Sequence, residues 1–187
     1  WRSALPLVVD ADALGLLAAL RGAGALPPRS APTVLTPHPL ELARLLPEDG
    51  PAEAAWVGHD RPGAARRAAA MYAAVVLLKG AGSLVATPDG VLCVLPYADA
   101  SLGVAGSGDV LAGAIAARLA ERRGADARAC TLEAAHAHGL AAWRAARARG
   151  ATRGLLAGEI AEALSQALEA PGDDAILAAG RGRRAPG

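Results

Sequence analysis

Short apolar runs and helical segments alternate along this chain. Three runs have the length and composition of buried strands: residues 5–10 (LPLVVD), 33–35 (TVL) and 75–78 (VVLL). Strands that alternate with helices indicate a largely parallel sheet with helices on both faces. Ligands bind such sheets beyond the carboxyl ends of the strands. Three polar clusters follow strand ends and are therefore the candidate functional segments: residues 36–41, 79–83 and 106–109.

The rest of the chain predicts a hairpin, an exposed connection and a tail. Residues 83–95 contain two short apolar runs around the turn sequence TPDG (residues 87–90), which is typical of a hairpin. Residues 47–62 are rich in Pro, Gly and acidic side chains and are interpreted as an exposed connection. We expect one domain over residues 1–170, followed by a C-terminal tail over residues 171–187.

Composition excludes several classes of function. The formal net charge of +1 gives no electrostatic reason to expect nucleic acid or an anionic membrane as a partner. The apolar runs are all shorter than a membrane span. Two cysteines are too few for a disulfide framework and fit a reducing compartment. The composition therefore predicts a cytoplasmic protein.

Residues 103–109 (GVAGSGD), named here the glycine loop, contain the most informative local pattern. Glycines let the backbone approach an anion closely, and the helix that follows offers the positive end of its dipole. Asp109 stands at the start of that helix, where a carboxylate can accept a proton from a substrate hydroxyl beside a bound phosphate. The alternative is an ordinary glycine-rich turn in which Asp109 caps the helix.

A second candidate, named here the lysine loop, follows the 75–78 strand and consists of Lys79, Gly80, Ala81, Gly82 and Ser83. Its backbone amides and the Ser83 hydroxyl could hold phosphate, and Lys79 would supply positive charge. Lys79 is the only lysine in the chain, against eighteen arginines. The alternative is a tight glycine turn with a solvated lysine. The loop does not match the Gly-x4-Gly-Lys-Ser/Thr pattern, so that comparison gives no support.

Residues 36–41 (TPHPLE) place a histidine after a strand, between two prolines. His38 could contact a polar ligand or carry a proton. In the alternative interpretation Thr36 and Glu41 form a capping pair and His38 has no role.

Two further pairs of polar residues have less specific patterns. Asp10 and Asp12 follow the first strand and are interpreted as capping residues rather than as a functional carboxylate pair. His136 and His138 lie two apart on a predicted helix and cannot share a face, which argues against a metal pair. We therefore predict no metal-ligating residues.

Taken together, these segments resemble the NAD(P)H-hydrate dehydratases, enzymes of the ribokinase-like superfamily. The matching motifs occur in order along most of the chain: DADAL at 10–14, TPHPLE at 36–41, LKGAGS at 78–83, GSGDVLAG at 106–113 and HG at 138–139. The resemblance implies a ribokinase-like three-layer α/β/α fold with a mostly parallel sheet. It also implies that leading strands of that fold are missing from the start of this chain.

The resemblance implies a role for each matched position. His38 and Asp109 would contact the hydrated nicotinamide nucleotide, and Asp109 would be the catalytic base. The nucleotide would contact the lysine loop and one residue of the glycine loop, namely Lys79, Gly80, Ala81, Gly82, Ser83 and Gly108.

The implied reaction removes water from the 6-hydroxy hydrate of NADH or NADPH and is coupled to hydrolysis of ADP or ATP. Hydroxide leaves poorly, so phosphorylation of the hydroxyl would first create a better leaving group. Mg²⁺ is the implied cofactor because it would neutralise the phosphates. The implied assembly is a homo-oligomer, a tetramer.

The chain also departs from the family pattern. Gly15 stands where the family has Asn, Leu40 where it has Gly, and Ser83 where it has Thr. Two other functions remain open at this point: a small-molecule kinase of the same fold, acting through Asp109, and an inactive nucleotide-binding remnant. The remnant is suggested by the start at Trp1, just before the first strand. On the same ground we expect the chain as given to bind nucleotide weakly at best and not to turn over.

Overall fold

A five-stranded mixed sheet runs through the part of the chain that the computed structural model describes, namely residues 1–47, 54–97, 100–122, 124 and 126–169. The strands lie in chain order: β1 (Leu7–Val9), β2 (Thr33–Leu35), β3 (Val75–Leu78), β4 (Leu84–Ala86) and β5 (Leu92–Val94). The first three strands are parallel to one another, while β4 and β5 are antiparallel to their neighbours. The predicted hairpin is confirmed as β4 and β5, and it makes the sheet mixed.

Helices cover both faces of this sheet, as the α/β prediction requires. They are α1 (Asp12–Gly22), α2 (Pro39–Leu45), α3 (Ala54–His59), α4 (Arg61–Tyr72), α5 (Ser107–Glu121), α6 (Ala127–Arg149) and α7 (Ala157–Glu169), with a short 3₁₀ turn at Ala100–Leu102. Alternate residues of β3 point to opposite faces. Val76 and Leu78 pack in the core with α1 to α4, while Val75 and Leu77 pack in the core with α5 and α6. The predicted three-layer α/β/α arrangement is confirmed.

The segment over residues 47–62 differs from its prediction. It was expected to be an exposed connection, but residues 54–59 form α3. Val57 on this helix is fully buried in the same core as α2 and α4. Its conformation therefore depends on tertiary packing, which local composition does not reveal. Residues 48–53 and the predicted tail over residues 171–187 lie outside the described residues.

The parallel strands end side by side, and this places the site. Beyond the strands, the Thr36 N–H donates to the Val9 carbonyl (3.1 Å) and the Lys79 N–H donates to the Pro37 carbonyl (2.8 Å). The segments that follow β1, β2 and β3 are therefore neighbours at one edge of the sheet, which is where ligands bind in folds of this kind.

Candidate active site

The lysine loop and the glycine loop enclose one cavity of about 350 Å³. Its lining combines residues of the two loops with apolar and polar side chains deeper in the fold: Lys79, Gly80, Ala81, Ser83, Tyr97, Ala100, Leu102, Gly103, Ser107, Gly108, Leu111 and His138. Two segments that are more than twenty residues apart in the sequence thus form one concave surface. Most of the residues predicted to contact a nucleotide lie in this lining, while Gly82, His38 and Asp109 do not.

The amino end of α5 supplies the part of this cavity best suited to an anion. Gly106 is the N-cap residue and has a φ of 84°, a left-handed conformation that favours glycine. No side chain caps the helix at this position. The positive end of the helix dipole is therefore open to a ligand on the side of Ser107 and Gly108.

Lys79 lies at the centre of a charged cluster. Its ammonium is 2.7 Å from a carboxylate oxygen of Asp10 and 3.8 Å from one of Glu41. The side chains of Lys79 and Asp10 are only 23% and 14% exposed, so the alternative of a solvated lysine is wrong. Gly108 lies beside the pair, because a Cβ at that position would be 3.5 Å from the Lys79 nitrogen and 3.6 Å from Asp10.

The two aspartates after β1 do not have the capping role expected of them. The N-cap of α1 is Ala11, which makes no side-chain capping bond, and Asp12 lies in the first turn. Asp10 instead pairs with Lys79. A capping role cannot be distinguished from a long-range ion pair by local sequence, because the lysine follows a different strand.

His38 combines a structural contact with an exposed ring. Its Nδ1 accepts hydrogen bonds from the Leu40 and Glu41 amides, and Glu41 accepts one from the His38 amide. The capping box at the start of α2 is therefore formed by His38 and Glu41, not by Thr36 and Glu41. The Thr36 hydroxyl donates to the Val9 carbonyl instead. Its Nε2 lies 3.5 Å from Glu41, and the His38 side chain is 47% exposed.

Glu41 connects His38 to the lysine loop. One of its oxygens accepts from the His38 amide at 2.8 Å and also lies 3.8 Å from the Lys79 nitrogen. The predicted substrate residue and the predicted nucleotide loop thus lie on either side of one carboxylate. Glu41 was predicted only as a cap, although its place in the TPHPLE motif was a signal of this second contact.

Asp109 lies in the first turn of α5 and is exposed. A Cβ on Gly106 would lie 4.0 Å from one of its carboxylate oxygens, so the carboxylate is beside the N-cap rather than inside the cavity. This placement leaves Asp109 accessible to a hydroxyl that approaches the helix end from outside.

His138 is a buried cavity residue that the sequence analysis missed. Its Nε2 lies 3.2 Å from the Ser107 hydroxyl, and both side chains are buried. Burial lowers the pKa of His138 to about 4, so the ring is neutral at neutral pH. The signal in the sequence was the HG pair at residues 138–139, which was matched to the family but given no role.

Tyr97 lies next to His138 in the cavity lining. Its hydroxyl is 2.8 Å from Nδ1 of His136, and burial raises the pKa of the phenol to about 12. His136 therefore pairs with a tyrosine. Within the described residues, no three His, Cys, Asp or Glu side chains are grouped as a metal site would need.

Comparison with known proteins identifies the family to which this site belongs. The sequence model of the family described as NAD(P)H-hydrate dehydratase matches residues 1–166. The chain belongs to the NAD(P)H-hydrate dehydratase family. It is 42% identical over 158 residues to the ADP-dependent (S)-NAD(P)H-hydrate dehydratase of Neisseria meningitidis, with 84% of this chain and 51% of that protein covered. It is 40% identical over 184 residues to a bifunctional NAD(P)H-hydrate repair enzyme of Moorella thermoacetica, with 97% and 33% covered.

Solved structures of other proteins share the fold of this chain. The ADP/ATP-dependent NAD(P)H-hydrate dehydratase of Bacillus subtilis, co-crystallised with ATP and Mg²⁺ and soaked with CoA, matches with a TM-score of 0.74 and 29% identity. The match covers 88% of this chain and 56% of that one. A ribokinase-like superfamily protein of Enterococcus faecalis, 21% identical, matches with a TM-score of 0.65 over 87% and 51% of the two chains and shows the fold alone.

The chain is shorter than its relatives, and its described helices were compared with the length of a membrane span. The chain spans only about a third to a half of the length of the two curated relatives. In the part of the chain that is described, no helix has both the length and the apolar character needed to cross a membrane.

Proposed function

We propose that this chain carries a nucleotide-dependent dehydratase site that converts the (6S) hydrate of NADH or NADPH back to NAD(P)H, with ADP or ATP as co-substrate. The observation that supports this most directly is the single cavity between the lysine loop and the amino end of α5. A cavity of this kind suits a phosphorylated ligand, because loop amides, an ammonium and a helix dipole converge on it.

The nucleotide would be held by the lysine loop and the start of α5. Its phosphates would lie against Lys79, Gly80, Ala81, Gly82, Ser83 and Gly108. The deeper part of the cavity is lined by Tyr97, Leu102, Leu111 and His138, and this mixture of apolar and polar side chains suits a nucleobase. The neutral state of His138 supports this orientation, because a buried imidazolium would compete with Lys79 for the phosphates.

The hydrate would approach from the side of His38 and Asp109, which lie outside the cavity lining. In our proposal Asp109 accepts the proton of the 6-hydroxyl while that oxygen forms a bond to the transferred phosphorus and the bond between phosphorus and the nucleotide breaks. The C6–O bond then breaks with loss of phosphate in place of hydroxide, which is the poorer leaving group, and a proton leaves the neighbouring ring carbon to water, so that the ring double bond of NAD(P)H is restored. His38 contacts the hydrate through its exposed ring.

Mg²⁺ would reach this site with the nucleotide. The described residues provide single carboxylates rather than a cluster of three, and Asp10, which lies beside Gly108, is paired with Lys79. That set fits an ion held mainly by phosphates and water, which is common for Mg²⁺. When bound, the ion would neutralise phosphate charge. Asp109, the exposed carboxylate at this end of α5, is not needed to hold the ion and stays available as the base.

We propose the same organisation that the sequence predicts: one domain over residues 1–170 and a tail over residues 171–187, in a cytoplasmic homo-oligomer, a tetramer. The free cysteines Cys93 and Cys130 support a reducing compartment. The tetramer is supported by the family resemblance, and light scattering of the purified protein tests it directly.

Identification of the product tests the proposed function against a kinase of the same fold. The purified protein is incubated with NADH hydrate, Mg²⁺ and either ADP or ATP, and the mixture is followed by absorbance and by phosphorus NMR. The proposal predicts recovery of the NADH absorbance with release of inorganic phosphate. A stable phosphorylated product without recovered NADH would instead identify a kinase.

A further inference from the structure

Arg61 makes a contact with the lysine loop that the sequence motifs do not include. It is the first residue of α4, and its guanidinium donates to the carbonyls of Ala81 (2.7 Å) and Gly82 (3.2 Å), about twenty residues further along the chain. A carbonyl pair held by one guanidinium is a charge-assisted and geometrically specific contact. We propose that Arg61 is the positioning residue of the nucleotide site, which holds the lysine loop in the conformation that binds phosphate. This inference rests on the proposed nucleotide site.

The hydrogen bonds around the loop show what Arg61 fixes. The peptide between Ala81 and Gly82 is bonded on both sides, since its carbonyl accepts from Arg61 and its N–H donates to the Tyr97 carbonyl (3.0 Å). The next peptide also has its carbonyl on Arg61. Because the carbonyl and N–H of a trans peptide point in opposite directions, the Ser83 N–H points away from Arg61. Ser83 itself lines the cavity, and in our proposal its amide is one of the groups that phosphate would contact.

Gly80 is part of the same arrangement. It has a φ of 143°, and a Cβ at this position would lie 2.9 Å from a terminal nitrogen of Arg61. The absence of a side chain at residue 80 therefore gives the guanidinium access to the loop. Within the lysine loop, the Ser83 hydroxyl donates a hydrogen bond to the Gly80 carbonyl at 3.0 Å.

The start of α4 holds Arg61 in place. Asp60 is the N-cap residue and accepts from the Gly63 amide at 2.8 Å, a bond that lowers the pKa of the Asp60 carboxyl. The Nε of Arg61 is buried and has no hydrogen-bond partner among the described residues. Leaving a buried donor unpaired is unfavourable, and the bonds from the two terminal nitrogens to the loop carbonyls offset that cost.

The guanidinium would also act on the ligand at a distance. Arginine stays protonated at all relevant pH values, so Arg61 keeps a positive charge behind the loop. It contacts the loop from outside the cavity lining, and the inference therefore concerns the shape and potential of the site rather than a direct contact with phosphate.

Arg66 provides a matched control on the same helix. Its side chain donates to the carbonyl of Gly90 at 3.1 Å, in the turn at the other end of the hairpin. Arg66→Ala and Arg61→Ala thus remove the same charge and the same type of bond from α4. Only Arg61→Ala removes a contact with the lysine loop.

Calorimetry with ADP and ATP in the presence of Mg²⁺ tests the inference on the intact protein. Arg61→Ala should weaken nucleotide binding roughly tenfold to a hundredfold, the range expected when charge-assisted bonds that order a loop are lost. Arg66→Ala should bind like the wild type, and both variants should bind NADH hydrate with unchanged affinity. Circular dichroism confirms that each variant is folded before binding is measured.

Arg61→Lys keeps the positive charge but removes the two-pronged hydrogen bonding of the guanidinium. It also replaces Arg61→Ala in the test if that variant does not fold. Lysine keeps the charge but offers a single point donor, so binding should recover only in part. Wild-type nucleotide affinity in Arg61→Lys, or equal losses in Arg61→Ala and Arg66→Ala, would contradict the positioning role. If the wild type binds neither ADP nor ATP, the proposed function fails, and the inference fails with it.

Discussion

The carboxylate of Asp10 lies 2.7 Å from the ammonium of Lys79, although 69 residues separate them. The pair forms because Asp10 follows β1 and Lys79 follows β3, and the parallel strands end at the same edge of the sheet. The single lysine of the chain is thus fixed beside Gly108 at the start of α5. We therefore expect the charge of the site and the stability of the fold to be coupled through this contact.

A double-mutant cycle measures this coupling. Asp10→Asn and Lys79→Met should each lower the free energy of unfolding, and the pair should show a coupling energy of about 1–3 kcal/mol, as expected for contacting partners. Denaturant unfolding of the four proteins gives the value. The control cycle pairs Lys79→Met with Asp12→Asn, because Asp12 is exposed in the first turn of α1. A coupling energy for Asp10 no larger than that for Asp12 would show that the ion pair contributes nothing.

The sequence predicted those parts of the site that directly follow a strand. Three apolar runs became parallel strands, and the clusters at residues 36–41 and 79–83 met at one edge because parallel strands share their carboxyl ends. The cluster at residues 106–109 was also expected after a strand, but it follows the 3₁₀ turn at Ala100–Leu102 and begins α5. The Asp10–Lys79 pair was not predicted, since a short polar residue after a strand is also a common cap. His38 was not predicted as the N-cap, because Ser, Thr, Asp and Asn are the usual residues there.

Burial is the property that the sequence could not provide. His138 was seen as half of a histidine pair without a shared face, and its contact with Ser107 requires α6 to cross behind the start of α5. Likewise, α3 was missed because one buried valine, Val57, outweighs the Pro, Gly and acidic residues around it. Both cases depend on which elements pack together rather than on local pattern.

The two contacts of His38 can be separated by substitution. His38→Ala should weaken hydrate affinity, leave ADP and ATP affinity nearly unchanged, and lower stability by about 0.5–2 kcal/mol through loss of the cap on α2. His38→Asn keeps a capping acceptor, so it should restore stability but not hydrate affinity. Calorimetry with each ligand, alongside thermal unfolding, measures both effects. Loss of nucleotide affinity with normal hydrate affinity would reverse the assignment.

Gly139 and Gly113 form a matched pair of helical glycines. A Cβ on Gly139 would lie 2.5 Å from the Tyr97 ring, whereas a Cβ on Gly113 would meet nothing within 4 Å. Gly139→Ala should therefore destabilise the protein by about 1–3 kcal/mol and disturb the cavity through Tyr97. Gly113→Ala should stabilise it by roughly 0.5–1 kcal/mol, because alanine is the better helix former. Unfolding curves that place the two variants on the same side of the wild type would contradict the packing described.

His138 makes stability depend on pH. Burial lowers its folded-state pKa from the ordinary value of 6.5 to about 4, so between these values the unfolded chain binds a proton that the folded chain does not. Stability should therefore fall as the pH decreases from about 6.5 toward 4. Between pH 7 and pH 5 the contribution is about 2 kcal/mol. His138→Gln removes it, so this variant should lose less stability than the wild type over that interval, and equal losses would show that His138 is not buried as described.

Asp109 provides the most direct test of the account, because it alone is assigned to the chemical step. Turnover of NADH hydrate with saturating ADP or ATP and Mg²⁺ is measured for the wild type and for Asp109→Asn, and nucleotide affinity is measured for both by calorimetry. The proposed function predicts nucleotide-dependent recovery of NADH by the wild type, whereas an inactive remnant would give none. It predicts a loss of roughly 10²–10⁴-fold in turnover for Asp109→Asn at unchanged nucleotide affinity, as expected when a general base is removed. Near-normal turnover by Asp109→Asn, or recovery of NADH that does not require a nucleotide, would contradict it.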